Sequence, residues 1–439
     1  MTNLAVFGTG IMGEYSIKEL APKCNQIYIS SSKEKEELRK MFPGDRFVFA
    51  ETHKQAVENA DFVLFCVPTH KAYSYMKDTL PYCKPGAIIS GQTSRKTPEA
   101  MAFDEHMAKN PDSGLELVTI HSMCNPEKSD ASKEIIGIIN HNASRQAYEK
   151  ALDFYSSLSE HIEEFESVNE HDIRVANTQI NTSKTFLSIA SAFAKVGCFP
   201  GVRESYTTAF DEMKFALAMR VASQEAHVYR GIQFGSEHGK AIVTPSIAVE
   251  NGLYRMVVGN KRDEYEERVM AARRILFGDR KLDPILNDNT MREFGGFMST
   301  KPNSHFSLIN YAVAFAESGK NPFADLKATT PMYTSLLCLM DRLFTEEELL
   351  KASIASPFDY PEIRTDDLDF HNEINGWSDA LVFDNIEGYN SRHRRMKRVL
   401  DSKFNRDKVQ NAAEASEKVV RVCREAMAEA IKSGRVEVN

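Results

Sequence analysis

Cysteine is scarce in this chain, and its spacing excludes several kinds of protein. The 439 residues include seven cysteines, and none of them belongs to a Cys-x-x-Cys pair. Such usage argues against a disulfide framework and against a thiolate metal site, and it fits a reducing compartment. No metal-ligand spacing, Gly-x-Ser-x-Gly elbow or P-loop occurs either. The sequence therefore predicts no bound metal and neither of those two kinds of active site.

Long apolar runs and an excess of basic residues are missing as well. No run approaches the roughly 20 apolar residues that a membrane-spanning helix needs. Lys and Arg number 54 against 62 Asp and Glu, and the resulting charge of −8 lacks the basic footprint of a nucleic-acid-binding surface. The chain begins with a predicted core strand, which leaves no room for a signal peptide. We expect a cytoplasmic protein that binds neither membranes nor nucleic acids.

What the chain does have is a glycine-rich turn directly behind its first apolar run. Leu4-Ala5-Val6-Phe7 predicts a short buried strand, and Gly8-Thr9-Gly10-Ile11-Met12-Gly13 follows it. In dinucleotide-binding folds such a string joins a strand to a helix: Gly8 permits the tight turn, Gly10 admits a pyrophosphate, and Gly13 lets the helix pack on the strand. The free N–H groups of the helix then face the phosphates. The flanking pattern favours this function over a merely flexible loop.

The end of the second predicted strand, Ile27-Tyr28-Ile29, indicates which dinucleotide is bound. Folds that prefer NAD place Asp or Glu about 20 residues beyond the glycine turn, on the ribose 2′-hydroxyl. Ser30-Ser31-Ser32-Lys33 stands there instead. Hydroxyls and an ammonium hold a 2′-phosphate that a carboxylate would repel. We therefore predict NADP, with Ser30, Ser31 and Lys33 as ligands; the alternative, which is compatible with it, is a polar loop that caps the helix beginning at Lys33.

The chain changes character near residue 166. Before it, short β-rich runs alternate with helical segments, which predicts a mostly parallel sheet of the α/β class. The runs are Leu4–Phe7, Ile27–Ile29, Phe47–Phe49, Phe62–Val67, Ala87–Ile89, Leu117–Ile120 and Ile135–Ile139. Beyond it the pattern is helical, with capping boxes at Ser167-x-x-Glu170 and Thr345-x-x-Glu348. We predict a Rossmann-type dinucleotide-binding domain over residues 1–166 and a large all-α domain, for substrate binding and dimerisation, over residues 167–439.

Three residues follow the predicted strands at the edge where such sheets bind ligands. Pro68 closes one strand and is expected to line the cofactor. His121 ends another, and an imidazole can accept a proton near neutral pH. The hydroxyl of Ser94, after the preceding strand, would fix the tautomer of that ring. The competing interpretation is that His121 only caps its strand.

The helical part holds further polar side chains. One stripe at helical spacing, which is either a cleft wall or a solvated face, consists of Asp172, Ala176, Gln179 and Ser183. Arg220 is a lone cation in an apolar run, so it needs an anionic partner. That partner is either a substrate carboxylate or an internal Asp or Glu. We interpret His305 as a structural residue.

Several strings, in this order and spacing, resemble those of prephenate dehydrogenases, especially the longer fungal type. They are Gly8–Gly13, Gly91–Glu99, His121-Ser122, Glu170–Asp172, Thr178-Gln179, Phe186–Ser188, Arg220–Ser223, Pro302–His305 and Asp366–Phe370. The resemblance implies a homodimeric enzyme of tyrosine biosynthesis. Its reaction would be the NADP-dependent oxidative decarboxylation of prephenate to 4-hydroxyphenylpyruvate.

Carried over residue by residue, the resemblance also implies roles. His121 would accept a hydrogen bond from the ring hydroxyl of the substrate, Ser94 would orient that histidine, and Arg220 would bind a carboxylate. Gln179 and Ser183, which stand where relatives carry histidines, are expected to contact the substrate. These replacements leave arogenate as a second possible substrate. Two further functions stay open, namely a β-hydroxyacid dehydrogenase that uses Lys184 and a nucleotide-binding protein without turnover.

Overall fold

The computed structural model describes residues 2–127, 130–196, 209–278, 283–294, 303–323, 326–404 and 406–436. The chain divides into two compact units, Met1–Val175 and Ala176–Asn439. The boundary lies beyond the predicted one at residue 166, because the short helix Val168–Val175 is part of the first unit. Among the residues singled out above, Pro302 lies outside the described ranges.

One sheet organises the first unit. Among the described residues it has eight strands in the order β3-β2-β1-β4-β5-β6-β7-β8. They are β1 (Thr2–Phe7), β2 (Cys24–Ser30), β3 (Phe47–Phe49), β4 (Phe62–Phe65), β5 (Ile88–Gly91), β6 (Glu116–Ser122), β7 (Ile135–His141) and β8 (His161–Phe165). Neighbouring strands run parallel except β6 and β7, so the prediction of a mostly parallel sheet is confirmed. The sequence analysis missed β8, an edge strand that carries two glutamates and lacks an apolar run.

Helices accompany this sheet on both faces. They are α1 (Ile11–Leu20), α2 (Lys35–Met41), α3 (His53–Val57), α4 (Thr69–Thr79), α5 (Thr97–Lys109), α6 (Arg145–Tyr155) and α7 (Val168–Val175). Because successive side chains of a strand point to opposite faces, Leu4 and Val6 belong to one apolar cluster, and Ala5 and Phe7 to another. The strand order reverses between β1 and β4. In doubly wound sheets that reversal marks the ligand-binding edge.

The second unit is helical over its described residues, which confirms the predicted all-α region. Its helices are α8 (Asn181–Val196), α9 (Ala209–Ala222), α10 (Ala226–Gln233), α11 (Glu237–Val258), α12 (Arg262–Phe277), α13 (Asp288–Arg292), α14 (Phe306–Glu317), α15 (Pro331–Thr345), α16 (Glu347–Asp359), α17 (Pro361–Val382), α18 (Ile386–Phe404) and α19 (Arg406–Lys432). They share one apolar cluster that includes Leu217, Leu337 and Trp377. No helix in the described part of the chain is long and apolar enough to span a membrane.

The helix predicted from Ser167 begins as expected but does not continue unbroken. Ser167 Oγ accepts the N–H of Glu170 at 3.1 Å, and the Glu170 carboxylate accepts the N–H of Glu166 at 2.7 Å. After α7, residues Ala176–Ile180 form a π-helical turn that precedes α8. Such turns interrupt α-helical spacing and are frequent at functional sites. The turn therefore changes the angular relation between the predicted stripe residues.

The second capping box was wrong. Thr345 is the last residue of α15, and its hydroxyl donates back to the main-chain oxygen of Asp341 at 2.8 Å. The next helix, α16, begins at Glu347, and its N-cap Glu346 makes no side-chain capping bond. A threonine hydroxyl can bond to the preceding turn as readily as to the following one, and here it closes a helix.

Candidate active site

His121 lies at the carboxyl end of β6, where the sequence predicts a reactive group. Its side chain is buried, with 3% exposed. Nδ1 of His121 lies 3.0 Å from Nε2 of His171 on α7, and the two rings meet edge to face. The imidazole thus contacts a second imidazole rather than a main-chain carbonyl. The strand-cap interpretation does not describe this side chain.

His171 is in turn held by the carboxylate of the next residue. Its Nδ1 lies 2.9 Å from Oδ1 of Asp172. Asp172 also accepts the main-chain N–H groups of Lys96 at 2.8 Å and Thr97 at 2.9 Å. Burial on its own would raise the pKa of Asp172, but its hydrogen bonds and the nearby His171 lower that pKa on balance. The group is therefore an ionised carboxylate.

The carboxylate assigns the tautomers of both rings. It can only accept, so Nδ1 of His171 carries a proton and Nε2 holds a lone pair. That lone pair accepts the Nδ1–H of His121, which leaves Nε2 of His121 as an acceptor. Burial, the neighbouring His171 and the Lys96 charge lower the pKa of His121 well below its usual value. A neutral imidazole with a free lone pair is equipped to take a proton.

A buried ion pair joins the ends of β5 and β6. Lys96 and Glu99 are fully buried, with Nζ 3.0 Å from Oε1. The ammonium also donates to the main-chain oxygens of Gly91 at 3.0 Å and Ile120 at 2.6 Å. A satisfied network of this kind fixes geometry in a low-dielectric interior, so it holds the strand residue directly before His121. The sequence analysis assigned no role to Lys96 or Glu99, although opposite charges three residues apart behind a buried strand were a usable signal.

Ser94 does not orient His121, so that prediction was wrong. Ser94 is half-buried between β5 and α5, and over the described residues no hydrogen bond joins it to His121. His171 bonds to Nδ1 of His121 instead, from 50 positions away in the chain. The adjacent pair His171-Asp172 was the signal for this partner, but nothing in the sequence placed it beside β6. A contact between Ser94 and substrate stays a prediction.

The glycine turn has the geometry of a phosphate cradle. Gly8 has φ +94°, and a Cβ there would lie 2.4 Å from the carbonyl oxygen of Cys66. A Cβ on Gly13 would lie 2.1 Å from the carbonyl oxygen of Gly8, whereas one on Gly10 would meet nothing within 4 Å. The backbone is thus accessible at Gly10, and the first N–H groups of α1, from Ile11 onward, lack intrahelical acceptors. These features fit a dinucleotide pyrophosphate.

The neighbouring predicted ligands lie around this turn. The Thr9 and Ser31 hydroxyl oxygens are 2.5 Å apart, and the Gly8 N–H donates to the main-chain oxygen of Ser30 at 2.8 Å. The end of β2 is thereby tied to the glycine turn. Pro68 is exposed at the start of α4, after β4. In the first turn of α1, Ile11 is exposed and Met12 is half-buried.

The serine loop does not cap α2. The N-cap is Glu34, and its side chain makes no capping bond, so the interpretation as a helix cap was wrong. Lys33 Nζ lies 2.7 Å from Oε1 of Glu37 in a partly exposed i,i+4 pair, which is weak in water. The hydroxyls of Ser30 and Ser31 and this ammonium form a donor set that fits a 2′-phosphate.

In the second unit, the predicted polar stripe is buried rather than solvated, so the interpretation as a solvated face was wrong. Ser183 Oγ donates to the main-chain oxygen of Gln179 at 2.6 Å and accepts Nε2 of Gln233 at 2.8 Å. Nε2 of Gln179 has no hydrogen-bond partner among the described residues. A substrate contact of Gln179 or Ser183 stays a prediction.

Arg220 has an internal partner. On α9, its Nη1 is ion-paired with the carboxylate of Glu417 on α19 and lies 3.4 Å from Ser416 Oγ. Of the two partners that the sequence allows, the structure contains the internal acid. Binding of a substrate carboxylate by Arg220 stays a prediction.

Comparison with known proteins matches both parts of the chain. Residues 180–425 match a family model described as a 6-phosphogluconate dehydrogenase C-terminal domain. Residues 3–90 match the model of the coenzyme F420-dependent NADP oxidoreductases.

Two yeast proteins are similar over most of their length. Prephenate dehydrogenase (NADP+) of Saccharomyces cerevisiae is 26% identical over 88% of this chain and 87% of its own. Probable prephenate dehydrogenase (NADP+) of Schizosaccharomyces pombe is 25% identical over 77% of this chain and 79% of its own. Among solved structures, prephenate dehydrogenase from A. aeolicus in complex with hydroxyphenyl propionate and NAD+ is 17% identical, with a TM-score of 0.45, over 61% of this chain and 94% of that chain.

Proposed function

Because the chain belongs to this family of 6-phosphogluconate dehydrogenase C-terminal domains, we propose that it oxidises and decarboxylates prephenate to 4-hydroxyphenylpyruvate with NADP. The names of its two yeast relatives support this substrate and cofactor. The observation that carries the proposal is the hydrogen-bonded series Asp172, His171 and His121. It ends in an acceptor nitrogen at the carboxyl end of β6.

The proposed chemistry uses that nitrogen as a base. His121 Nε2 takes the proton of the ring hydroxyl while the carbon that bears it loses a hydride. The nicotinamide, when bound, accepts the hydride. The new ketone draws in the electron pair of the carbon–carboxylate bond across the ring, so carbon dioxide leaves and the ring becomes aromatic. The proton on His121 then returns to the phenolate oxygen, and aromatisation makes the reaction effectively irreversible.

The cofactor would be held by the glycine turn and the end of β2. Gly10 and the first N–H groups of α1 would bind the pyrophosphate, and Ser30, Ser31 and Lys33 would bind the 2′-phosphate. Pro68 would line the same edge of the sheet. The open space at Gly10 supports the first assignment, and the hydroxyl pair that includes Ser31 supports the second.

One assay tests the reaction. The purified full-length protein is given NADP with prephenate, or with arogenate in a parallel reaction, and NADPH absorbance is followed. We expect turnover with prephenate. Turnover with arogenate alone would replace the substrate and keep the mechanism. No turnover with either would contradict the proposal and favour a nucleotide-binding protein without catalysis.

A second candidate, a β-hydroxyacid dehydrogenase that uses Lys184, is favoured by one observation. Burial lowers the pKa of Lys184 to about 7, and its Nζ donates to Ser246 Oγ at 2.7 Å. A lysine with that pKa is suited to proton transfer. Lys184→Ala should abolish turnover if this candidate is correct, whereas His121→Asn should do so for the prephenate reaction. The two variants, assayed with 3-hydroxyisobutyrate and with prephenate, separate the candidates.

We also propose that the protein is a homodimer of the cytoplasm. The large helical unit offers ample surface for a two-fold interface, which is the commonest geometry of oligomers. The cysteines in the described part of the chain that the structure reports are free thiols, as expected in a reducing compartment.

A further inference from the structure

A cavity of about 130 Å³ lies within the second unit, beside the start of α14. Its apolar wall consists of Ile189, Ala192, Phe193, Phe306, Ile363 and Phe370. An apolar cavity of roughly 150 Å³ holds a benzene molecule in another protein, so this one has room for a single ring or a similarly compact group. The remainder of the wall is polar and charged.

The single ammonium of this wall, among the lining residues that the structure describes, is already paired. Lys214 Nζ lies 3.2 Å from Oδ1 of Asp211 and 3.1 Å from Nδ1 of His305. Asn303 Nδ2 also donates to Asp211 Oδ1, at 2.8 Å. Burial and the Lys214 charge lower the pKa of His305 well below its usual value, so the ring is neutral. Lys214 and Asp211 therefore cancel each other.

His305 is held by more than this contact. Its φ is +46°, a left-handed conformation that is uncommon for residues other than glycine and costs free energy. Its ring centroid lies 5.0 Å from that of Phe210. Such local strain persists where the surroundings demand it, and here it keeps the imidazole at the cavity wall. The interpretation of His305 as only structural leaves this placement unexplained.

Asp367 on α17 supplies the unbalanced charge. Only 6% of it is exposed. Oδ1 accepts the hydroxyl of Ser304 at 2.6 Å, but Oδ2 has no hydrogen-bond partner among the described residues. The adjacent Asp366 also lines the cavity and is half-buried. A buried polar atom without a partner is rare and costly, so Oδ2 marks where a donor belongs.

We propose that this cavity binds a small organic ammonium, with its N–H groups on Asp367 Oδ2 and its compact apolar body against the phenylalanine rings. Three carboxylates and one ammonium line the cavity. Two carboxylates remain after the Asp211–Lys214 pair is set aside, so a cation is favoured and an anion repelled. Aromatic faces attract a cation as well. The proposal does not depend on the reaction proposed above.

The charge of Asp367 gives the binding a pH dependence. Burial, opposed by the Ser304 hydrogen bond, raises the pKa of Asp367 to about 7. The titratable groups that face it from its own and neighbouring elements are Lys214, Asp366, Glu250, Tyr254 and Tyr265. An ammonium prefers the ionised carboxylate, so affinity should rise about tenfold from pH 6 to pH 8 and then level off.

Calorimetry on the full chain at pH 8 tests the proposal with three probes that share one ring: benzylamine, benzyl alcohol and benzoate. We expect benzylamine to bind and the other two to bind at least tenfold more weakly. Equal affinity for the alcohol or for benzoate would overturn the proposal. So would the failure of all three to bind, which would leave a cavity for water alone.

Variants locate the site. Asp367→Asn should weaken benzylamine binding at least tenfold. Asp379→Asn, the same charge change at an exposed position of α17, should leave it unchanged. Ala192→Phe fills the cavity without altering a charge and should also abolish binding. If Asp367→Asn does not fold by circular dichroism, Ala192→Phe decides the question. Unchanged binding in a folded Asp367→Asn or Ala192→Phe protein would refute the site.

Discussion

At the scale of single residues, the proposed chemistry depends on which nitrogen of His121 carries the proton. His171 settles this, because its Nε2 lies 3.0 Å from Nδ1 of His121 and its own Nδ1 is bound to Asp172. Without His171, the His121 ring would be free to present either nitrogen to the substrate. His171 is therefore a positioning residue and not the base itself.

Replacement of His171 tests this role. His171→Phe removes the acceptor and should lower kcat by about 10–100-fold, while the KM for NADP stays unchanged. His171→Gln keeps an acceptor oxygen and should retain more activity. His121→Asn, which removes the base, should lower kcat by about 10²–10⁴-fold. Steady-state kinetics would contradict the assignment if the Phe and Gln variants were equally active.

The pH profile of the reaction follows from the buried imidazole. The neutral form of His121 is the active one, so kcat/KM falls only when the pH drops below its pKa. Burial lowers that pKa well below the usual value. We expect kcat/KM for prephenate to stay constant from pH 8 down through about pH 6.5, where an ordinary histidine would be half protonated. A midpoint at about 6.5 would contradict this.

Stability must be measured alongside that profile. The pKa values of His121 and His171 are both lowered in the folded protein. A depressed pKa contributes stability that is fully present above the unfolded-state value, about 6.5, and is lost as the pH falls below it. Circular dichroism at each pH separates unfolding from protonation of the base.

At the scale of elements, α9 and α19 are joined through Arg220 and Glu417. Arg220→Ala and Glu417→Ala distinguish an internal pair from a substrate ligand. If Arg220 also binds a substrate carboxylate, its loss should raise the KM for prephenate by roughly 10–100-fold, which is the value of a charge-assisted hydrogen bond. Glu417→Ala should leave KM unchanged. Equal small effects of both variants on Tm, with normal KM in each, would assign the pair to structure alone.

The loop after β2 determines the cofactor in the same proposal. Ser30→Asp supplies an acceptor for a free 2′-hydroxyl and repels a 2′-phosphate. It should reverse the preference from NADP to NAD in kcat/KM. Ser32→Asp, at the exposed position two residues further on, adds the same charge and should change the ratio less. Equal kcat/KM for both cofactors in the unmodified protein would refute the prediction of NADP.

At the scale of the whole molecule, the proposal of a homodimer has a direct measurement. We expect light scattering at micromolar concentration to give twice the chain mass of 49.5 kDa. A helical unit that packs around one large apolar cluster is a stable platform for such an interface. A monomeric mass would remove the dimer and leave the reaction and cofactor proposals as they are.

The local features of this chain were predictable because neighbouring residues cause them. The strand β1, the glycine turn and the start of α7 each follow from apolar runs, from backbone freedom at Gly8 and Gly13, and from the cap at Ser167. The same local pattern failed at Thr345, where one hydroxyl had two possible acceptors. It also gave no signal for the π-helical turn Ala176–Ile180, since that turn has no distinctive composition.

The sequence by itself determined the α/β and all-α regions, the dinucleotide cradle and the place of His121 at a strand end. Only the tertiary structure decided which groups meet there. His171 reaches His121 across 50 residues, and Glu417 reaches Arg220 across 197. The partners of a buried histidine or arginine depend on how distant elements pack, and periodicity carries no information about that distance. Burial, which sets the protonation of His121 and Asp367, is likewise a property of the packed chain.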